Sequence, residues 1–361
     1  MNSREEEVFK DFEKDQNFKN QNFKIIKNLG KGSFGVVKEI LLNNKTYAAK
    51  LIKKDANDKN DESSLILEFR GPGIVKVNKI ITKKYSDREV YDLIIMEKAS
   101  LKNLHKFIEK LYKDNLLNLI FKNPFELVGE NLLRFLTIQL MKGLELLNRT
   151  GYSHFDIKPG NILLFLNMVV KFTDFGLLRN PEKSKKEDNK FRIPGGTRGY
   201  LTPEYYSNNE KVSVEDALKQ DYFALGSTLY SLKYGEDMLD YSKYLDPNST
   251  SDVIIDLLQK AMDQIKSKKL SDKEFINFLC GLIQYKPEER PDLELIYRNK
   301  WLNKNTEDIR NIAENFELDE EKLILELDKS DFLINKRNTI NENRQKENIG
   351  VYRNKFKFSL D

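Results

Sequence analysis

Two acids and an amide stand at short, fixed offsets in the middle of the chain. Asp156 and Asn161 are five residues apart, with a proline and a glycine between them. Asp174 follows eighteen residues after Asp156, behind a short apolar run. Turn residues beside apolar runs place such side chains on loops that flank short strands. Because magnesium is bound by carboxylate and amide oxygens, the pattern predicts a site for that ion.

A glycine-rich segment, residues 30–35, lies near the start of the chain, with glycine at its first, third and sixth positions. Glycine lets main-chain amides approach phosphate oxygens without a Cβ in the way. A predicted strand follows the segment, whereas a dinucleotide-binding turn needs a helix there. Two interpretations remain: a tight hairpin without a ligand, or a loop between two strands that covers phosphate groups.

Lys50 interrupts an apolar run that predicts a strand over residues 46–52. One interpretation is an edge lysine whose stem is buried and whose amine reaches water. The other is a buried cation that binds an anion, and such a cation needs a carboxylate partner. Glu62 and Glu68, on a predicted helix over residues 62–69, are the two candidates for that partner.

The elements that must position these groups follow from the apolar pattern. Strands are predicted for residues 23–29, 46–52, 91–99 and 162–166, and helices for 101–111, 131–147 and 221–230. Residues 1–22 are polar with scattered phenylalanines, and we favour a disordered arm there over a short amphipathic helix. We interpret residues 114–129 as an insertion.

The composition disfavours several classes of protein. The 361 residues carry 61 basic and 57 acidic side chains, a net charge of +4, so a basic face for nucleic acid is not expected. The single cysteine, Cys280, cannot form an internal disulfide, which indicates a reducing, intracellular compartment, cytoplasmic or nuclear. No apolar run has the length of a membrane span, and residues 1–15 lack the core of a signal peptide.

These segments resemble the motifs of protein kinases. Residues 154–161, His-Phe-Asp-Ile-Lys-Pro-Gly-Asn, match the family's His-Arg-Asp-x-x-x-x-Asn loop except at Phe155, and residues 174–176 match its Asp-Phe-Gly. The glycine-rich segment, the Ala-Ala-Lys that ends at Lys50 and the Thr-Pro-Glu that ends at Glu204 are similar to further motifs of the family. The resemblance covers about residues 23–302.

The resemblance implies an α+β chain with the two-lobed protein kinase fold. A small, β-rich lobe with one main helix would span about residues 23–97, and a larger, mostly helical lobe about residues 98–302. Residues 1–22 would form an N-terminal arm and residues 303–361 a charged C-terminal tail, and either tail is a candidate site for a regulatory partner.

The resemblance also assigns catalytic roles. Asp156 is the expected catalytic base, and Lys158 would offset the charge of the transferring phosphate. Lys50, oriented by a glutamate, would hold the other phosphates. The distance from the helix glutamate to the next strand in the family favours Glu62 over Glu68 for that role.

The implied cofactors are ATP and Mg²⁺. Asn161 and Asp174 would bind the metal, and Met96 would lie at the back of the adenine pocket. The expected nucleotide-binding residues are Leu29, Gly30, Lys31, Gly32, Ser33, Phe34, Gly35, Val37, Ala48, Lys50, Met96, Glu97, Ala99 and Leu163.

The implied function is transfer of the γ-phosphate of ATP to serine or threonine hydroxyls of proteins. Thr197 in a Gly-Thr pair, together with Lys158, is typical of serine/threonine-specific members of the family. Two alternatives stay open: a catalytically weak or inactive scaffold with the kinase fold, and a kinase of small molecules or lipids. The full catalytic set argues against the first alternative, and an expected buried ion pair between Glu204 and Arg290 argues against the second.

Phe155 departs from the family pattern. The arginine that the family has at this position binds a phosphate on the activation loop through charge-assisted hydrogen bonds. A phenylalanine cannot make these bonds. We therefore predict that activity does not depend on phosphorylation of that loop, where Ser184 is a candidate acceptor.

Overall fold

The computed structural model describes residues 3–32, 35–54, 62–87, 89–113, 130–185, 190–207, 211–239, 251–267 and 272–304. The strands are β1 (Lys24–Gly32), β2 (Gly35–Leu42), β3 (Lys45–Lys54), β4 (Val77–Ser86), β5 (Glu89–Glu97), β6 (Ile162–Phe165), β7 (Val169–Phe172), β8 (Phe191–Arg192) and β9 (Lys211–Val212). The helices are α1 (Ser3–Glu13), α2 (Glu62–Ile66), α3 (Leu104–Lys113), α4 (Glu130–Arg149), α5 (Pro181–Ser184), α6 (Pro203–Ser207), α7 (Val214–Leu218), α8 (Gln220–Tyr234), α9 (Ser251–Ser267), α10 (Lys273–Leu282), α11 (Leu293–Tyr297) and α12 (Lys300–Asn303).

The small lobe is built on a five-stranded antiparallel sheet in the order β1-β2-β3-β5-β4. Side chains alternate between its two faces because the period of a strand is two. Ala49 and Leu51 of β3 lie with Leu93 and Ile95 of β5 in one buried cluster. Lys50, between the two β3 residues, therefore points from the opposite face of the sheet.

Helix α1 is the main difference from the sequence-based expectation. Residues 3–13 are helical, whereas we favoured a disordered arm there. Val8, Phe9 and Phe12 are fully buried and pack on the sheet face that carries Ala49 and Leu51. Phe12 follows Phe9 by three residues and Val8 by four, and these spacings place the side chains on one side of a helix. The burial of two aromatic rings explains why the segment folds onto the sheet.

The large lobe is organised around α4 and α8. Both helices coincide with predicted ones, and α4 packs against β7 and against α8. Nearly every side chain of α8 is buried, from Gln220 to Leu232. A helix that is buried all round must lie inside the lobe, and α10 packs on it from the C-terminal part of the domain.

The two lobes meet at two glycines. Gly73 has φ +78°, and a Cβ there would lie 2.6 Å from the main-chain nitrogen of Gly143 in α4. A Cβ at Gly143 would in turn lie 2.8 Å from the Gly73 carbonyl oxygen. Next to this contact, the Phe172 amide donates to the Gly73 carbonyl at 2.8 Å, and the Val75 amide donates to the Phe172 carbonyl at 3.0 Å. The residues before β4 are thus joined to β7 of the large lobe.

Several expectations concern residues that lie outside the described ranges. They include the insertion at 114–129 and nearly all of the C-terminal tail, residues 305–361. The helix predicted over residues 62–69 is shorter and ends at Ile66. Within the described ranges, no helix combines the length and the hydropathy that a bilayer crossing needs.

Candidate active site

The predicted catalytic loop lies between α4 and β6. It ends in a short 3₁₀ turn, Pro159–Asn161, that leads directly into β6. The Asn161 side-chain amide donates to the Asp156 carbonyl oxygen at 2.9 Å and to its carboxylate oxygen Oδ2 at 2.7 Å. These hydrogen bonds between residues five apart in the sequence close the loop. Since the amide nitrogen is used in this way, the Asn161 side-chain oxygen is the atom available to a metal.

The Asp156 carboxylate is fixed at both oxygens. Thr197 donates its hydroxyl proton to Oδ1 at 2.6 Å. The Lys158 ammonium donates to Oδ2 at 2.8 Å and lies 2.5 Å from the Thr197 hydroxyl oxygen. Thr197 comes from the segment before α6, so this segment is bound to the catalytic loop. Asp156 is buried, and Lys158 and Thr197 are half-buried.

Lys50 reaches across from the small lobe to Asp174. Its ammonium lies 2.7 Å from the Asp174 Oδ1 atom, and the Lys50 side chain is 7% exposed. A Cβ built on Gly32 would lie 3.9 Å from the other carboxylate oxygen of Asp174, so β1 ends above this acid. Asp174 has φ +64°, a left-handed conformation that is uncommon outside glycine. The structure thus brings the predicted phosphate-binding lysine, the predicted metal ligand and the glycine-rich hairpin together.

The glycine-rich hairpin itself requires glycine at one position. Gly35 has φ +145°, and a Cβ there would lie 2.1 Å from the Leu51 carbonyl oxygen of β3. Any side chain at Gly35 would therefore push β2 away from β3. Ser33 and Phe34 lie outside the described residues.

The predicted adenine side of the site lies on β3 and β5. Ala48 and Met96 are buried and pair with each other across the two strands. Val37 pairs with Lys50 across β2 and β3. Glu97 ends β5, and its carboxylate binds the Lys171 ammonium of β7 at 2.7 Å.

The remaining nucleotide-binding candidates have no contact with Lys50 or Asp174 among those given above. Leu163 is half-buried on β6, Ala99 is half-buried in the connection after β5, and Leu29 is 42% exposed on β1. Lys31 directs its ammonium to Glu5 of α1 at 3.0 Å, so its side chain turns away from Asp174. Gly30 has open space where a Cβ would be.

The expected pairing of Lys50 with Glu62 stays a prediction. Glu62 is the first residue of α2, but its side chain lies outside the described part of the structure. Glu68, the other candidate, lies beyond the end of α2 and is exposed. A neighbouring contact does fix α2 to the sheet, because Ser63 hydrogen-bonds to Asp92 of β5.

His154 and Asp221 support the site, although the sequence assigned no role to either. The His154 ring lies 3.0 Å from the Thr173 carbonyl oxygen through Nε2 and accepts from the Asp156 amide at 3.3 Å through Nδ1. The Asp221 carboxylate accepts from the main-chain amides of His154 at 2.6 Å and Phe155 at 2.9 Å. The sequence signal that could have indicated such a buried acceptor is an acid at the start of the apolar helix α8.

Burial acts strongly on Asp221. Complete removal from water raises the pKa of its carboxyl above the usual range, while the nearby His154 and the two main-chain donors oppose that shift. The carboxyl is held in place by its hydrogen bonds to the backbone of the catalytic loop.

Phe155 is part of an apolar cluster. Its ring stacks on Phe191 of β8 with centroids 5.3 Å apart, and both side chains are buried with Ile193, Val212 and Ala217. Phe191 and Ile193 belong to the segment that follows the Asp-Phe-Gly motif. Apolar packing around Phe155 thus joins this segment to the catalytic loop.

The expected ion pair of the large lobe is confirmed. The Arg290 guanidinium binds both carboxylate oxygens of Glu204, at 2.5 and 2.7 Å. The Arg290 side chain is fully buried, and Glu204 also accepts from the Gln220 side chain at 2.7 Å. This pair joins α6 to the loop before α11.

A comparison with protein-family models matches residues 23–302 to the protein kinase domain. The chain belongs to the protein kinase family. The match covers most of the chain, including both lobes and every group of the site described above. The two-lobed fold expected from the resemblance is confirmed by this match and by the sheet-rich and helical lobes.

Three curated proteins illustrate what the kinase is similar to. The serine/threonine-protein kinase MRCK alpha of Homo sapiens is 28% identical over 220 residues, which are 60% of this chain and 12% of that protein. The Arabidopsis thaliana serine/threonine-protein kinases AtPK2/AtPK19 and AtPK1/AtPK6 are 26% and 27% identical, over 78% and 77% of this chain and 55% of each relative. The chain thus spans between 12% and 55% of the length of these relatives.

Proposed function

We propose that the chain is an ATP- and Mg²⁺-dependent protein kinase that phosphorylates serine or threonine hydroxyls. The observation that carries the proposal is the joint geometry of Asp156, Lys158, Asn161, Asp174 and Lys50. The side chains of Asp156, Lys158 and Asn161 are linked by hydrogen bonds, and Lys50 pairs with Asp174. The main chain joins the two groups, because the Thr173 amide, next to Asp174, donates to the Asn161 carbonyl oxygen at 3.0 Å. The relatives named above are serine/threonine-protein kinases, which supports the hydroxyl specificity.

Asp156 is the proposed catalytic base. Thr197, Lys158 and Asn161 hold its carboxylate in one orientation. A hydroxyl of a protein substrate that donates to this carboxylate would be aligned for attack and could pass its proton to it. Because phosphoryl transfer needs mainly positioning and charge stabilisation, a carboxylate with a fixed orientation is the main requirement on the acceptor side.

Lys158 has a second role in this proposal. Its ammonium lies between the base and the Thr197 hydroxyl, and it is half-buried. A cation in a site with little water offsets the charge of a transferring phosphate more strongly than a cation in water does.

The donor set fits a magnesium ion. Asp174 offers a carboxylate that is 22% exposed, and Asn161 offers its side-chain oxygen. Mg²⁺ prefers such hard oxygen ligands and commonly takes its remaining ligands from phosphates and water. A metal held by these two residues would offset the negative charge of phosphate groups. Lys50, beside Asp174, is placed to bind phosphate oxygens as well.

The decisive experiment compares the wild type with Asp156→Asn. The substitution keeps the size of the side chain and removes its ability to accept a proton, so we expect phosphate transfer to a Ser/Thr peptide library to fall by about 100-fold or more. Asp252→Asn, at an exposed position of α9, is the matched control and should retain wild-type transfer.

The same experiment addresses the scaffold alternative. A scaffold with the kinase fold predicts equal, background-level transfer for the wild type and Asp156→Asn. Incorporation into lipids or small molecules without incorporation into the peptides would instead favour a non-protein substrate. Either result would contradict the proposal.

A further inference from the structure

Helix α1 covers the face of the small-lobe sheet that is opposite the site. Val8, Phe9 and Phe12 are fully buried in one cluster with residues of β2, β3, β4 and β5, and Ile25 of β1 packs against this cluster. Lys50 points from the other face to Asp174. The helix therefore lies behind the glycine-rich hairpin, where it can act on the position of the hairpin without touching a nucleotide.

Two adjacent acids of α1 reach the two strands of that hairpin. The Glu5 carboxylate lies 3.0 Å from the Lys31 ammonium of β1, and Lys31 directly precedes Gly32. The Glu6 carboxylate lies 2.5 Å from the Lys38 ammonium of β2, three residues after Gly35. Two adjacent residues of α1 thus bind the two strands of the hairpin, Glu5 binding β1 and Glu6 binding β2.

Lys38 is the stronger of the two anchors. Its side chain is only 5% exposed, and its ammonium lies 4.6 Å from the centre of the Phe9 ring. A lysine buried to this extent needs a counter-charge. Glu6 supplies that carboxylate, and the Phe9 ring adds a cation–π contact from the same helix.

Further contacts fix α1 along its length. Arg4 donates two hydrogen bonds to Glu89 of β5, at 2.9 and 3.2 Å. Asp11 accepts from the Tyr85 hydroxyl of β4 at 3.1 Å, and Glu13 accepts from the Ile25 amide of β1 at 2.9 Å. Since both ends of the helix are bound to the sheet, Glu5 and Glu6 are held at a fixed place above the hairpin.

We propose that Glu5 and Glu6 are positioning residues for the nucleotide. By holding Lys31 and Lys38, they fix the position of β1 and β2. The main chain of the glycine-rich hairpin then lies within contact distance of the phosphates of ATP. This inference rests on the function proposed above. Helix α1 would thus support the nucleotide site from the opposite face of the sheet without contacting the nucleotide.

The test uses the full chain with the double substitution Glu5→Gln/Glu6→Gln. We expect the Kd for Mg·ADP, measured by calorimetry well below the melting temperature, and the KM for ATP both to rise about three- to tenfold. The kcat at saturating ATP should change by less than about twofold, because the hairpin acts on nucleotide binding. Glu7→Gln, whose carboxylate pairs with Arg4 of the same helix, is the matched control and should leave the Kd unchanged.

A second pair of variants separates positioning from folding. Glu5→Gln alone leaves the buried Glu6–Lys38 pair intact and should give a smaller rise in Kd. The charge exchange Glu6→Lys/Lys38→Glu should bind Mg·ADP more tightly than Glu6→Lys alone.

An unchanged Kd in the double variant, with only a lower melting temperature, would show that α1 merely stabilises the fold and would overturn the inference. Failure of the wild type to bind Mg·ADP would instead overturn the proposed function itself, and the inference with it.

Discussion

Phe155 occupies an unusual backbone conformation. Its φ is +62°, a region that costs a bulky residue roughly 1–2 kcal/mol. Two contacts hold it there: its amide donates to Asp221, and its ring stacks on Phe191. An arginine at this position would need an anionic partner from the activation loop, whereas the phenylalanine needs only apolar side chains. The segment after the Asp-Phe-Gly motif supplies two such side chains, Phe191 and Ile193.

Ser184 provides the test of this interpretation. It is the only residue with a hydroxyl group between Gly176 and Gly196. We expect Ser184→Ala to keep kcat within about twofold of the wild type, because apolar packing holds the segment. Phe155→Ala should lower kcat by about tenfold or more, since it removes the stacking with Phe191. Peptide phosphorylation rates of both variants check the prediction.

A collapse of activity in Ser184→Ala would contradict it. Treatment of the wild-type protein with a phosphatase before the assay is the control, because it removes any phosphate from Ser184 without changing the sequence.

The large lobe depends on elements that are far apart in the chain. Glu204 lies at the start of α6 and Arg290 lies 86 residues further on, yet their side chains form a bidentate, buried pair. A buried pair is costly to break, because the remaining charge has no access to water.

We expect Arg290→Met to lower the free energy of unfolding by about 3–5 kcal/mol. Urea denaturation followed by circular dichroism would measure it. The double variant Glu204→Gln/Arg290→Met removes both charges and should be destabilised less than Arg290→Met alone. A double variant that is destabilised by the sum of both single effects would show that the charges do not interact.

Sequence reasoning succeeded for elements whose pattern is local. The apolar period predicted β3, β5, α4 and α8, and the spacing of Asp156 and Asn161 predicted the turn before β6. It missed α1, because Val8, Phe9 and Phe12 lie among charged residues and find their partners only on the assembled sheet. It also gave no role to Asp221, whose hydrogen-bond partners are 66 and 67 residues away. Contacts of this kind are set by tertiary packing, which no short window of sequence contains.

At the scale of the whole molecule, the proposed nucleotide site draws on both lobes. Lys50 comes from the small lobe and Asp174 from the large one. A ligand that binds groups from both lobes stabilises the folded chain by mass action.

Mg·ADP at about 100 times its Kd should therefore raise the free energy of unfolding by about 2.7 kcal/mol. A thermal-shift titration would detect this as a higher melting temperature. Removal of Mg²⁺ with EDTA should abolish most of the shift, because Asp174 and Asn161 then have no metal through which to bind phosphates. Lys50→Met is the matched variant, and a full shift in that variant would argue against the proposed site.

The contact between Gly73 and Gly143 limits how the kinase can open. The main chains touch there, and hydrogen bonds from Phe172 and Val75 run beside the contact. Because the two backbones are this close, we expect the junction to keep its spacing when the lobes move. To admit a nucleotide, the two lobes would then rotate about this junction. The rotation would widen the side of the cleft that is far from Gly73 and Gly143 and leave their contact in place. Two conformers of the kinase with different spacings between these glycines would rule out such a rocking motion.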